Sequence, residues 1–150
     1  MKIINAYTFP DRLLVHPMAK TSTGLWFAIE PYVTLERNGS MIKLGEVILS
    51  ILDIPAEVVE RPDDWAALNK ARYKAAGVSS ERFFQKQAKL VEVSLKDELI
   101  YFEPTHNGGS AGDNKGFMPL KTLIKPLPKE SSAQEIGKKL LLAFDYCTSV

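Results

Sequence analysis

KLVEVSLKDELIYFEP, residues 89–104, decides the fold. Val91, Val93 and Leu95 fall at every second position, the period of a strand with one buried face. ELIYFEP (98–104) repeats the β-forming character and stops at Pro104. Lys96 and Asp97 make a tight connection between the two runs, so the stretch reads as an antiparallel hairpin.

Towards the N-terminus, VSSERFFQKQ (78–87) is a short helix capped by Ser80. RPDDWAALNKARYKAAG (61–77) is the clearest helix. Asp63 is its N-cap, Asp64 complements the positive end of the macrodipole, and Gly77 supplies the left-handed C′ position. From Ser40, a candidate N-cap, Ile42, Val47, Ile48 and Leu52, with Leu44 and Ile51, suit a helix buried on a broad face, and Pro55 ends it. LWFAIEPYVTLE (25–36) contains Pro31, which cannot donate to a ladder, so it is an edge strand, a bulge or two strands. AKTSTG (19–24) is a loop, LLVH (13–16) a short strand stopped at Pro17, and KIINAYTF (2–9) a strand.

Towards the C-terminus, THNGGSAGDNKGF (105–117) is a glycine-rich loop. FMPLKTLIKPL (117–127) restarts extended structure. SSAQEIGKKLLLAFDYC (131–147) is a helix, with Ser132 and Glu135 spaced as a capping box. Its apolar stripe runs Ile136, Leu140, Ala143, Phe144, Cys147, and Gly137 weakens it slightly. Strands at 2–36 and 89–127, with helices between and after, predict an α+β fold. The expected form is a mostly antiparallel β-sheet core with flanking helices, in one domain over residues 1–150.

The lone cysteine, Cys147, forms no internal disulfide and leans towards a reducing, cytoplasmic setting. Asn5, Asp11 and Arg12 interrupt any leader-like run, and no window approaches the ~18 apolar residues of a membrane span. The formal net charge of +1 argues against a whole-molecule basic footprint for nucleic acid. Charge is uneven along the chain, however. Residues 46–64 carry six acids against one base, and residues 70–89 six bases against one acid.

The acids Glu57, Glu60, Asp63 and Asp64, with Trp65 as an aromatic anchor, suit a basic protein partner. The bases Lys70, Arg72, Lys74, Arg82, Lys86 and Lys89, with Tyr73 and Phe83, suit single-stranded nucleic acid. Both sets also read as solvated faces. The loop 105–117 is a second protein-contact candidate through Asn107, Asp113 and Lys115. It lacks the second glycine and the Ser/Thr of a phosphate loop, and the spaced acids of a calcium loop. Two histidines and one cysteine without short spacing give no zinc set, so neither metal nor cofactor is expected. Cys147, on an apolar stripe, is a small core residue. A metal-free ribonuclease using His16 and His106 as acid and base, with Lys115 on the phosphate, is the best enzymatic alternative.

From SSERFFQKQ through the hairpin, Pro104, the glycine-rich loop and Gly116-Phe117, the sequence resembles the CdiI family. These are the immunity proteins of bacterial contact-dependent growth inhibition systems. The resemblance is strongest over residues 80–120. It implies a non-enzyme that binds a toxin domain, often a nuclease, and blocks it in the cytoplasm. It also implies an antiparallel β core with helices, similar to Whirly-type folds, and it transfers no catalytic residue.

Overall fold

The computed structural model describes residues 1–122 and 124–150. Leu123, inside the 117–127 stretch, lies outside the described residues. The order is β1 (Lys2–Thr8), β2 (Arg12–Thr21), β3 (Trp26–Ala28), β4 (Val33–Glu36), α1 (Met41–Leu52), β5 (Val58–Val59), α2 (Trp65–Ala76) and α3 (Glu81–Gln87). There follow β6 (Lys89–Lys96), β7 (Leu99–Asn107), β8 (Phe117–Pro119), β9 (Leu127–Pro128), α4 (Ala133–Tyr146) and β10 (Thr148–Ser149). The sheet runs β10-β7-β6-β1-β2-β3, with β4 and β5 also on β2 and with β8 and β9 also on β7. The pairings are antiparallel except β5 on β2 and β10 on β7. The fold is α+β with a mostly antiparallel sheet and flanking helices.

The hairpin β6–β7 forms as the alternation predicts, but its turn is one residue later than expected. Lys96 pairs with Leu99, and Asp97 and Glu98 both take positive φ, 53° and 64°. That is the backbone of a type I′ turn, which Asn-Gly favours. The stretch 25–36 resolves into two strands, β3 and β4.

Two strands run longer than the sequence suggests. β2 passes through Pro17 to Thr21, overrunning both the expected stop and part of the expected loop 19–24. In an antiparallel ladder a residue's N and C=O face the same neighbour. The Pro17 carbonyl accepts from Ile29, in the break between β3 and β4, so its ring nitrogen faces a place with no ladder acceptor to serve. β7 continues past Pro104 to Asn107, because β8 pairs with it at Thr105, His106 and Asn107. The glycine-rich loop therefore shrinks to 108–116, with its base closed by Gly108 N–H to the Gly116 carbonyl at 2.8 Å.

The helices begin on side-chain caps. Ser40, Ser80 and Ser132 accept from the backbone amides of Lys43, Phe83 and Glu135. For α2 the cap is Asp64, which accepts from Ala67 at 3.0 Å, and not Asp63. Asp63 stays exposed one residue before it. Gly77, at φ 72°, closes α2 as expected. Arg12 then holds that end, donating from Nε to the Ala76 carbonyl at 2.8 Å.

Alternation divides the sheet's side chains between two cores. Ile4, Ala6, Val15, Val91, Val93 and Ile100 face α1 and α4. Tyr7, Leu14 and Leu90 face α2 and α3, where Phe84 takes the edges of Tyr7 and Phe9 at ring distances of 4.8 and 5.4 Å. The first core depends on a close crossing of α1 and α4. A Cβ on Gly45 would lie 2.7 Å from the Ala133 Cα, and one on Gly137 would lie 2.9 Å from the Met41 carbonyl carbon. Gly137 is therefore a contact point, where sequence suggested only a weak helix position.

Gly45→Ala and Gly137→Ala should each destabilise the protein by about 2 kcal/mol or more, despite alanine's better helix propensity. Urea unfolding checks this. The same measurement on Asp97→Asn/Glu98→Gly should show a gain of about 1 kcal/mol from relieved left-handed backbone.

Candidate functional site

Pro55 ends α1, and the chain then crosses to the edge of the sheet, where Val58 and Val59 pair in parallel with Lys20 and Thr21 of β2. This crossing walls a groove of about 330 Å³ against β1 and the β2–β3 hairpin, lined by Ile3, Met18, Trp26, Ile51, Ile54 and Val58 among others. Val58 is 74% exposed and Ile54 40%. Glu57 lies in the groove wall. Asp53, Glu60, Asp63 and Asp64 are exposed along the same segment. An apolar centre with a charged rim is the anatomy of a protein-binding surface.

The groove shares Met18 and Trp26 with a second cavity of about 180 Å³, between the sheet and the N-terminal half of α2. Trp65, Leu68, Asn69 and Arg72 face it from α2, spaced three, four and seven residues apart as one helix face requires. Trp65 is half-buried, with its ring 5.9 Å from Phe27 in an edge arrangement and the Arg61 guanidinium 6.0 Å away. Arg72 turns inward. Its guanidinium lies 4.4 Å from the Phe84 ring centre and 2.7 Å from Glu81. Glu81 also accepts from the Tyr73 hydroxyl at 2.6 Å and from Gln85 at 3.0 Å. Burial alone would raise the Glu81 pKa, but these donors and the Arg72 charge outweigh it and hold the carboxyl below its ordinary value.

The remaining sequence candidates lie elsewhere. Asp113 and Lys115 are exposed on the loop 108–116, which springs from β7, while the acidic segment borders β2 and β3 at the other side of the sheet. Asn107 is buried. Its Nδ2 donates to the carbonyls of Gln85 (2.5 Å) and Ala88 (2.8 Å), and its Oδ1 accepts from Gly109, so it fastens α3 to β7. The basic segment is split: Lys70, Lys74, Arg82, Lys86 and Lys89 are exposed, but Arg72 is inside and Tyr73 is tied to Glu81. His16 on β2 is fully buried between Tyr7 and Tyr32. His106 is on β7, with β1 and β6 between them, and bonds to Thr148 at 2.7 Å. Three strand spacings of ~4.8 Å keep the two rings from acting as an acid–base pair. Cys147 is a buried thiol 3.3 Å from the Leu90 carbonyl.

Sequence reasoning missed the α2 crevice and a pair of opposed carboxylates. Glu92 and Glu103 are cross-strand partners, and Asn5 sits opposite Glu92 on β1. Burial first, then the Glu103 charge, raises the Glu92 pKa. The signal was present in the hairpin, where Glu92, Ser94, Tyr101 and Glu103 hold the positions between the apolar ones.

The chain belongs to the CDI immunity protein family (CdiI), whose model matches residues 56–147. None of the curated proteins matches the sequence. Solved structures share the fold, among them the following two. A protein of unknown function from Neisseria meningitidis has a TM-score of 0.74 at 16% identity, over 97% of this chain and 94% of that one. The CdiA-CT/CdiI toxin and immunity complex from Yersinia pseudotuberculosis gives 0.69 at 18% identity, over 98% and 97%.

The buried His16 couples folding to pH. Desolvation, opposed by the Pro17 carbonyl bond and aided by the Arg72 charge, lowers its pKa to about 4. The unfolded chain takes up that proton near pH 6.5, so stability is complete above that value and is lost as pH falls towards 4. His16 alone should remove about 2 kcal/mol between pH 7 and pH 5. Urea unfolding at both values should show this drop, and His16→Gln should flatten it.

Proposed function

We propose that this chain, as a CDI immunity protein, binds and neutralises a cognate toxin domain through the acid-rimmed groove and the adjoining Trp65. The carrying observation is the groove itself: exposed Val58 and Ile54 flanked by Asp53, Glu57, Glu60, Asp63 and Asp64. Apolar groups desolvated on binding set the lifetime of a complex, and the charged rim sets its rate of formation. The partner that fits an acidic rim has a basic surface, as a nuclease has for its phosphate backbone. The chain works as one domain over residues 1–150 and acts by occupying the toxin, with no chemistry of its own. The buried thiol of Cys147 fits a reducing compartment, the cytoplasm, where an incoming toxin would be met. Asp113 and Lys115, at the tip of loop 108–116, offer a separate, secondary contact.

The test is association kinetics with a cognate CDI toxin domain. Asp64 caps α2, so its variant must preserve the cap. Glu57→Lys, Glu60→Lys, Asp63→Lys and Asp64→Asn combined should slow association about tenfold or more at low salt, with the difference shrinking at high salt. An unchanged rate and salt slope would remove the acids from the interface. Steep, salt-dependent binding of a uridine oligomer by the chain alone would instead favour nucleic-acid binding through residues 70–89.

A further inference from the structure

The crevice under α2 has a chemistry opposite to that of the groove beside it. Asn5 and Tyr7 of β1, Trp26 of β3, and Trp65, Asn69 and Arg72 of α2 line it. Among the described lining residues Arg72 is the one charged group. Its side chain is only 14% exposed. A guanidinium has five N–H donors; Arg72 directs Nη2 to Glu81 and also meets the Tyr7 and Tyr73 hydroxyls, which leaves part of the fork for a further acceptor. Phe84 backs its face at 4.4 Å. Glu81 divides its charge among Arg72, Tyr73 and Gln85, so it anchors the guanidinium without consuming it. The result is a fixed, partly desolvated fork of donors at a cavity the size of one side chain, where a planar anion gains most from bidentate pairing.

We propose that this crevice seats the carboxylate of an aspartate or glutamate side chain presented by the partner toxin, with Arg72 as its counter-charge. This rests on the reading of the chain as a toxin-binding protein. The crevice and the groove share Met18 and Trp26, so a partner filling the groove lies with its flank over the crevice. An acidic rim would select a basic surface. A cationic seat beside it would demand one acid at a set distance from that surface and so fix register, a requirement that other basic proteins fail.

The chain has two tryptophans, and both line this crevice; Trp26 also lines the groove, so the Trp65 indole N–H signal is the one that tells the crevice from the groove. Nuclear magnetic resonance titration of the isolated protein with benzoate should shift both signals saturably. Benzamide, its neutral analogue, should bind about tenfold more weakly or worse. Arg72→Gln should abolish the benzoate response. Should that variant unfold, Asn69→Ala, outside the Glu81 network, should weaken benzoate several-fold while leaving the urea midpoint in place. Equal responses to benzoate and benzamide, or no response, would overturn the seat. Tighter indole shifts with a uridine decamer than with benzoate would overturn it in favour of a phosphate site.

A second arm separates this proposal from the toxin-binding reading. In the complex with a cognate CDI toxin domain, Arg72→Gln should raise koff at least about tenfold. A benzoate response without any protection of toxin-expressing cells would keep the seat and overturn its assignment to a toxin. Protection with unchanged koff in Arg72→Gln would keep the toxin-binding reading and overturn the seat.

Discussion

The crossing of α1 and α4 at Gly45 and Gly137 is the constraint on which the architecture depends. Helices this close bring Ile48 and Leu52 of one and Ile136 and Leu140 of the other into a single fully buried layer over the sheet. Larger side chains at either glycine would separate the helices and open that layer, since backbone atoms, not yielding side-chain tips, occupy the space. With this side of the sheet closed by one helix pair, the other side is left to α2 and α3. These are shorter or less apolar, and they cover only part of it.

That second side is where polar groups enter. Tyr7, His16, Arg72, Tyr73 and Glu81 lie near one another beneath α2 and α3, joined by stacking and by the bonds that converge on Glu81. The linear division of charge, acids at 46–64 and bases at 70–89, becomes a spatial one. The acids border the apolar groove at the β2–β3 side, while the inward Arg72 confronts the crevice behind it. Two neighbouring cavities thus carry opposite charges at their margins, although the chain as a whole is nearly neutral.

Much of the fold was legible because local chemistry and tertiary structure agree. The period-2 run at 89–95, the serine caps and Gly77 each report a backbone state that the rest of the chain then uses. The misses share a cause: the sequence shows the breaker but not its neighbours. Pro17 interrupts nothing because the adjacent strand is broken there. Pro104 ends no strand because β8 continues the ladder beyond it. Gly137 reads as weakness until α1 lies against it. Among site residues, the acids are exposed as their composition suggests, and Trp65 lies at the edge of a cavity. The Asn107 amide is used by the carbonyls of Gln85 and Ala88, a pairing across some twenty residues that no local pattern announces.

The two-sided sheet has an evolutionary corollary. Strand alternation assigns neighbouring residues to opposite faces, so a substitution under α2 does not enter the α1–α4 layer. Backbones can then persist while the outward chemistry is rewritten. A scaffold whose two faces are packed separately can take a substitution on the outward face without each change being a fresh folding problem.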